Sequence, residues 1–118
     1  MEDECVSDFI EILRFPTISG LGVENGSYVD CANWIVQKLN EIELDEVSIL
    51  KESIDGKPIV VASWDGTKPD LPCIFLNSHY DIVPVIQKSW TVEAFNPIKR
   101  DDGKIYGRGA QDMVTLIL

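Results

Sequence analysis

The chain has 118 residues, of which 45% are hydrophobic and 25% are charged, and its net charge is −10. These proportions are typical of one globular domain and argue against disorder along the chain as a whole. Twenty acidic against ten basic residues repel nucleic acid and anionic membranes, so we expect neither as a partner.

The N-terminal sequence and the cysteines indicate a reducing compartment. Met1-Glu2-Asp3-Glu4 is acidic, whereas secretory and mitochondrial signals begin basic. The sequence has no stretch of roughly 20 apolar residues, which a membrane-spanning helix needs, so we expect a cytoplasmic protein. Cys5, Cys31 and Cys73 are far apart and odd in number, which predicts three reduced thiols, with Cys73 in a buried strand.

The first forty residues predict two helices. Four apolar residues at helical spacing define the first, which Pro16 brings to an end: Val6, Phe9, Ile10 and Leu13. A loop rich in Gly and Ser follows. A second helix is expected to begin near Ser27 or Asp30, with an apolar stripe formed by Ala32, Ile35, Val36 and Leu39.

The next segments predict strands. β-Branched runs at 47–50 and 59–64 lie on either side of Asp55-Gly56, which is a hairpin signal. Residues 71–76 are short and continuously apolar, so we expect a strand covered on both faces in the middle of an α/β sheet.

The last third predicts a second hairpin and the start of a helix. The hairpin covers 98–106 around Asp102-Gly103, and the helix begins at Met113. A domain rarely ends in an apolar run such as 114–118, because such a helix normally continues and buries that face. We therefore expect the chain to be a domain truncated at its C-terminus.

His79, the only histidine in the chain, is the first candidate for chemistry. It follows the predicted central strand, and open α/β sheets bind ligands at the carboxyl ends of their strands. Asp81 lies two residues further on, so its carboxylate can reach the imidazole, fix its tautomer and make its other nitrogen a better metal donor. Considered alone, however, a single histidine is more often structural.

Asp112, at the junction of a loop and a predicted helix, is the second candidate. Its position also suits an N-cap. Arg108 is either a surface residue or a partner for a carboxylate. Gly107 and Gly109 are expected to adopt backbone angles that other residues avoid.

Together these segments resemble the M20 metallopeptidase family, in particular its aminoacylases. Residues 77–85, NSHYDIVPV, resemble the family's first metal motif, and 102–113, DGKIYGRGAQDM, resemble the second. The similarity runs over essentially the whole chain, beginning with FPTIS at 15–19. It implies that residues 1–118 form the N-terminal portion of a zinc-exopeptidase-like α/β domain, a three-layer fold with a mixed sheet flanked by helices. The rest of that domain and the dimerisation domain would be absent.

The resemblance also implies roles for the candidate residues. His79 and Asp112 would be metal ligands, with Asp112 bridging two zinc ions, and Asp81 would be the catalytic residue that orients His79. We therefore expect His79 and Asp112 to converge in the fold. The complete enzymes would be homodimers that hydrolyse small N-acyl amino acids to a carboxylate and a free amino acid.

The chain departs from the family pattern at two points. Val114 replaces the usual lysine, and the Glu-Glu pair that supplies the general base does not occur in the sequence. Catalytic zinc usually has three protein ligands, so hydrolysis by this chain alone is not expected. Three alternatives stay open: a non-catalytic isoform or fragment, a dipeptidase- or carboxypeptidase-type relative, and a binding module in which His79 and Asp112 are structural.

Overall fold

The computed structural model describes residues 2–50 and 54–112. Within them the chain forms a small mixed α/β fold of two helices and two short hairpins. The elements are α1 (Glu2–Ile12), α2 (Ser27–Asn40), β1 (Glu46–Ile49), β2 (Val60–Ser63), a 3₁₀ turn (Gln87–Ser89), β3 (Ile98–Lys99) and β4 (Ile105–Tyr106). Neither helix is long and apolar enough to cross a membrane, as far as the described residues go.

The two helices confirm the helical periodicity of the sequence. Helix α1 ends at Ile12, before Pro16, and α2 begins at Ser27, directly after Gly26 in a left-handed conformation with φ of 75°. Four buried side chains from the two helices and the turn after α1 form the core: Ile12, Leu13, Cys31 and Ile35. Both apolar stripes therefore face one another, which is the arrangement that burial of amphipathic helices favours.

Both predicted hairpins are confirmed. Strands β1 and β2 pair antiparallel from Glu46↔Ser63 to Ile49↔Val60, and β3 pairs with β4. Gly56 and Gly103 lie in the connecting turns with φ of 71° and 83°. Glycine adopts this left-handed region without the steric cost that a Cβ atom brings, which explains why the Asp-Gly signals located the turns.

The prediction of a buried central strand at 71–76 is wrong. These residues form no strand, and Ile74, Phe75 and Leu76 are 90%, 82% and 88% exposed. Cys73 is exposed as well. A buried central strand needs neighbours on both sides, and no strand of the described residues pairs with this segment. The helix predicted from Met113 lies outside the described residues.

The three cysteines differ in burial, which predicts their reactivity. Cys31 is 1% exposed, and burial raises the pKa of its thiol to about 12, whereas Cys5 and Cys73 are exposed. The thiolate is the reactive species. We expect two thiols to react with Ellman's reagent at pH 8 in the native chain and the third only in guanidinium.

A Cys31→Ala variant serves as the control, because it should lose the slow thiol and keep both fast ones. Three fast thiols in the native wild-type chain would contradict the burial of Cys31. One fast thiol would contradict the exposure of either Cys5 or Cys73.

Candidate functional site

A short pairing between two distant segments builds the site. Ile18 and Ile82 form a parallel bridge, in which the backbone N–H of Ser19 donates to the Ile82 carbonyl at 2.8 Å and the N–H of Ile82 donates to the Thr17 carbonyl at 2.9 Å. The Thr17 hydroxyl also donates to the Tyr80 carbonyl at 2.5 Å. The loop after α1 therefore holds the segment that carries His79 and Asp81.

His79 and Asp81 interact as their spacing predicts. Nδ1 of His79 lies 3.0 Å from Oδ1 of Asp81 and 2.9 Å from the Asp81 carbonyl oxygen. Both oxygens are acceptors, so this geometry favours a proton on Nδ1. In the neutral ring Nε2 then carries the lone pair. Nε2 is the ring nitrogen that faces away from Asp81.

The structure confirms that His79 and Asp112 converge. Nε2 of His79 lies 3.6 Å from Oδ1 of Asp112, although the two residues are far apart in sequence. Their side chains are 47% and 71% exposed, so this part of the site is open to solvent. With the proton on Nδ1, Nε2 and the Asp112 carboxylate face each other as two acceptors, and a cation between them would relieve their repulsion.

The spacing of these two atoms suits a metal ion. Ligand atoms about 2.0–2.1 Å from a tetrahedral zinc ion lie roughly 3.3 Å apart, close to the 3.6 Å between Nε2 of His79 and Oδ1 of Asp112. Among the described residues, however, no group of three or more His, Cys, Asp or Glu side chains is placed to hold a metal. The described residues thus supply a pair of suitable donors.

Arg108 secures the loop that leads to Asp112. Its backbone N–H donates to the Ala94 carbonyl at 2.7 Å, and its Nε donates to the Val83 carbonyl at 3.1 Å. The guanidinium therefore binds the backbone just after Asp81. Its other expected role, as the partner of a carboxylate, is not seen among the described residues. The predicted N-cap role of Asp112 depends on a helix outside the described residues.

Tyr80 supports the candidate site in a way that the sequence patterns did not indicate. Its hydroxyl donates to the Pro58 carbonyl, and its ring meets that of Tyr28 edge-on at 5.9 Å. Burial, with smaller effects from Cys31, Tyr28 and Asp81, raises the pKa of Tyr80 to about 12. Because side chains alternate along an extended segment, Tyr80 anchors the motif to the core while its neighbours face the site.

Gln87 is a second such residue. Its Nε2 donates to the Val92 carbonyl at 2.8 Å, and its Oε1 accepts from the Ala94 N–H at 3.1 Å. The amide thereby stabilises the long loop between the two motifs. It does so at Ala94, whose carbonyl accepts the hydrogen bond from the Arg108 N–H. A glutamine in an irregular segment carries no spacing signal that would identify this role.

A groove of about 690 Å³ begins at the site and extends between α2 and the first hairpin. His79 and Asp81 lie at its polar end. Its apolar wall includes Ile35, Leu39 and Val60. A ligand with a polar group and an apolar chain would match this division, since concave apolar sites with few polar groups are typical of small-molecule binding.

Comparisons with known proteins show which family the chain resembles. Residues 75–118 match the model of Peptidase family M20/M25/M40. The chain is 36% identical over 115 residues to aminoacylase-1 of Mus musculus, covering 98% of the chain and 27% of that protein. It is 35% identical over 112 residues to aminoacylase-1 of Dictyostelium discoideum, covering 95% and 26%.

A solved structure shows the same fold. The structure of the dipeptidase Dug1p from Saccharomyces cerevisiae superposes with a TM-score of 0.78 at 17% identity, over 98% of the chain and 28% of that protein. The chain thus spans about a quarter of the length of these relatives.

Close packing around Gly107 gives a test of the loop that positions Asp112. A Cβ atom at Gly107 would lie 2.9 Å from Cβ of Pro97 and 3.4 Å from Leu13. We expect Gly107→Ala to lower the free energy of unfolding by about 1–3 kcal/mol, the usual cost of overpacking. Urea denaturation followed by circular dichroism measures this.

Gly66→Ala is the matched control, because nothing lies within 4 Å of a Cβ atom there and the φ of Gly66 is not positive. Its unfolding midpoint should stay close to that of the wild type. Equal midpoints for both variants would contradict the packing of the loop against Pro97.

Proposed function

The chain belongs with the M20 peptidases and aminoacylases, and we propose that it forms part of the catalytic domain of a zinc-dependent amidohydrolase. The proposed substrates are small N-acyl-L-amino acids, which it would hydrolyse to a carboxylate and a free amino acid. The observation that carries this proposal is the convergence of His79 Nε2 and Asp112 Oδ1 at 3.6 Å.

Each of the three site residues has a distinct proposed role. His79 and Asp112 would hold zinc. Asp81, whose carboxylate lies 3.0 Å from Nδ1 of His79, orients the imidazole so that Nε2 faces Asp112. When bound, zinc lowers the pKa of a water molecule and polarises the substrate carbonyl.

The proposal requires groups beyond this chain. Two donors are fewer than the three protein ligands usual for catalytic zinc, and the described residues offer no larger group. We propose that the missing ligands and the general-base glutamate lie in a region that corresponds to the part of the relatives that this chain does not match. We propose that the same region completes the three-layer sheet and forms the homodimer. Such a protein would act on small substrates in the cytoplasm.

A non-catalytic chain is the second candidate, and the incomplete donor set favours it for the 118 residues alone. Hydrolysis of an N-acetyl-L-amino acid, followed by release of the free amine in the presence of zinc, tests whether these 118 residues are catalytic on their own. Turnover by these 118 residues that His79→Ala abolishes would contradict the second candidate. Zinc binding without turnover would favour a chain that is one part of a catalytic domain and is not catalytic alone.

Zinc titration by calorimetry tests the metal role directly. We expect the wild-type chain to bind zinc, and His79→Ala to lower the affinity by roughly 100-fold or more, because even residues behind the ligands contribute about 10–100-fold. Asp112→Asn should also weaken binding, since the amide oxygen lacks the carboxylate charge.

Asp101→Asn provides the control, because Asp101 is an exposed aspartate in the turn of the second hairpin. It removes the same charge without touching the site, so its affinity should equal that of the wild type. Zinc binding by His79→Ala as tight as that of the wild type would remove His79 from the ligand set and refute the proposal.

A further inference from the structure

We propose that Ser19 is a positioning residue, whose hydroxyl holds the Asp81 carboxylate in the orientation that selects the tautomer of His79. The effect on the imidazole follows from the geometry of the chain alone. The effect on metal affinity also rests on the proposed function.

The Asp81 carboxylate has a different partner at each oxygen. The hydroxyl of Ser19 donates to Oδ2 at 2.6 Å, and Oδ1 lies 3.0 Å from Nδ1 of His79. Because the carboxylate is planar and rigid, fixing one oxygen fixes the other. Ser19 thus acts on the imidazole through Asp81, without touching the ring.

The backbone delivers the Ser19 hydroxyl to this place. The N–H of Ser19 donates to the Ile82 carbonyl at 2.8 Å, next to the bridge between Ile18 and Ile82. Other hydroxyls near this loop act differently, since Thr17 donates to the Tyr80 carbonyl and Ser27 to the Pro16 carbonyl. Replacing Ser19 by alanine would therefore keep the backbone pairing and remove only the bond to the carboxylate.

Two carboxylates compete for the single ring proton of neutral His79. Asp81 accepts it at Nδ1, while Asp112, 3.6 Å from Nε2, would accept it in the other tautomer. Only the first tautomer leaves the Nε2 lone pair free for a metal. The Asp81 side chain is 48% exposed, so without Ser19 its carboxylate would turn toward water. The tautomer with the proton on Nε2 would then be more populated.

The Asp81 carbonyl oxygen, 2.9 Å from Nδ1, does not replace this contribution. Hydrogen bonds to an ionised acceptor are about twice as strong as those to a neutral one. The carbonyl therefore keeps part of the preference for the Nδ1–H tautomer when the carboxylate turns away. The expected consequence is a changed ratio of tautomers, with the fold intact.

The experiment uses the fact that the chain contains one histidine. Long-range ¹H–¹⁵N spectra of the tag-free, ¹⁵N-labelled chain, recorded without metal at alkaline pH, report the His79 tautomer without an assignment problem. We expect the Nδ1–H form in the wild type and a several-fold shift toward Nε2–H in Ser19→Ala. Ser19→Thr restores the hydroxyl and should restore the wild-type shifts.

Ser89→Ala is the matched control, because Ser89 is also exposed and lies in the 3₁₀ turn. Its ring-nitrogen shifts should equal those of the wild type. Identical shifts in Ser19→Ala and the wild type would overturn the proposal. A large loss of thermal stability in Ser19→Ala would overturn it too, because Ser19 would then support the fold instead of the imidazole.

Zinc affinity gives the second readout and separates the two proposals. We expect Ser19→Ala to bind zinc about 10-fold more weakly than the wild type, the lower end for residues that support a ligand, and Ser19→Thr to recover that loss. Failure of the wild type to bind zinc would refute the proposed metal role of His79 and Asp112 in this chain. The metal-free spectra would still decide the role of Ser19.

Discussion

The pairing of residues 17–19 with 80–82 is the constraint on which the candidate site depends. Two backbone hydrogen bonds, with the Thr17 hydroxyl beside them, join the loop after α1 to the segment that carries the imidazole. Thr17 and Ile82 are 2% and 4% exposed, so the pairing is sheltered from water. Without this pairing, nothing would fix the irregular segment of His79 and Asp81, whose preceding residues are exposed to solvent. The Val83 carbonyl, which accepts a hydrogen bond from Arg108 in the loop that leads to Asp112, would no longer be held in place.

Local signals in the sequence predicted the helices and hairpins, because the forces that form them act over a few residues. Gly56 and Gly103 are left-handed in the turns where the Asp-Gly pairs located them. The contacts that build the site act over longer distances, and no local pattern specifies them: Ser19 with Asp81, Tyr80 with Pro58 and Arg108 with Val83. Resemblance to a family predicted that His79 and Asp112 converge, whereas periodicity alone did not.

The error at 71–76 has a physical origin in the same limitation. A continuous apolar run shows that a segment is suited to burial, but it does not specify which neighbours cover it. Here Ile74 and Phe75 remain almost fully exposed, and each such side chain forgoes about 1.5–3 kcal/mol of burial. The stability of the described fold therefore rests mainly on the cluster of Leu13, Cys31 and Ile35 between the helices and the turn after α1.

Electrostatics connects the metal to the substrate in the proposed function. The chain carries a net charge of −10, and Asp81 and Asp112 flank the imidazole from both sides. An N-acyl amino acid carries a carboxylate of its own, so these charges oppose its approach to the metal-free site. A bound dication would be the largest local charge and would offset the two carboxylates that oppose the substrate. Metal binding would therefore serve substrate capture as well as hydrolysis, which makes the tautomer of His79 important for both.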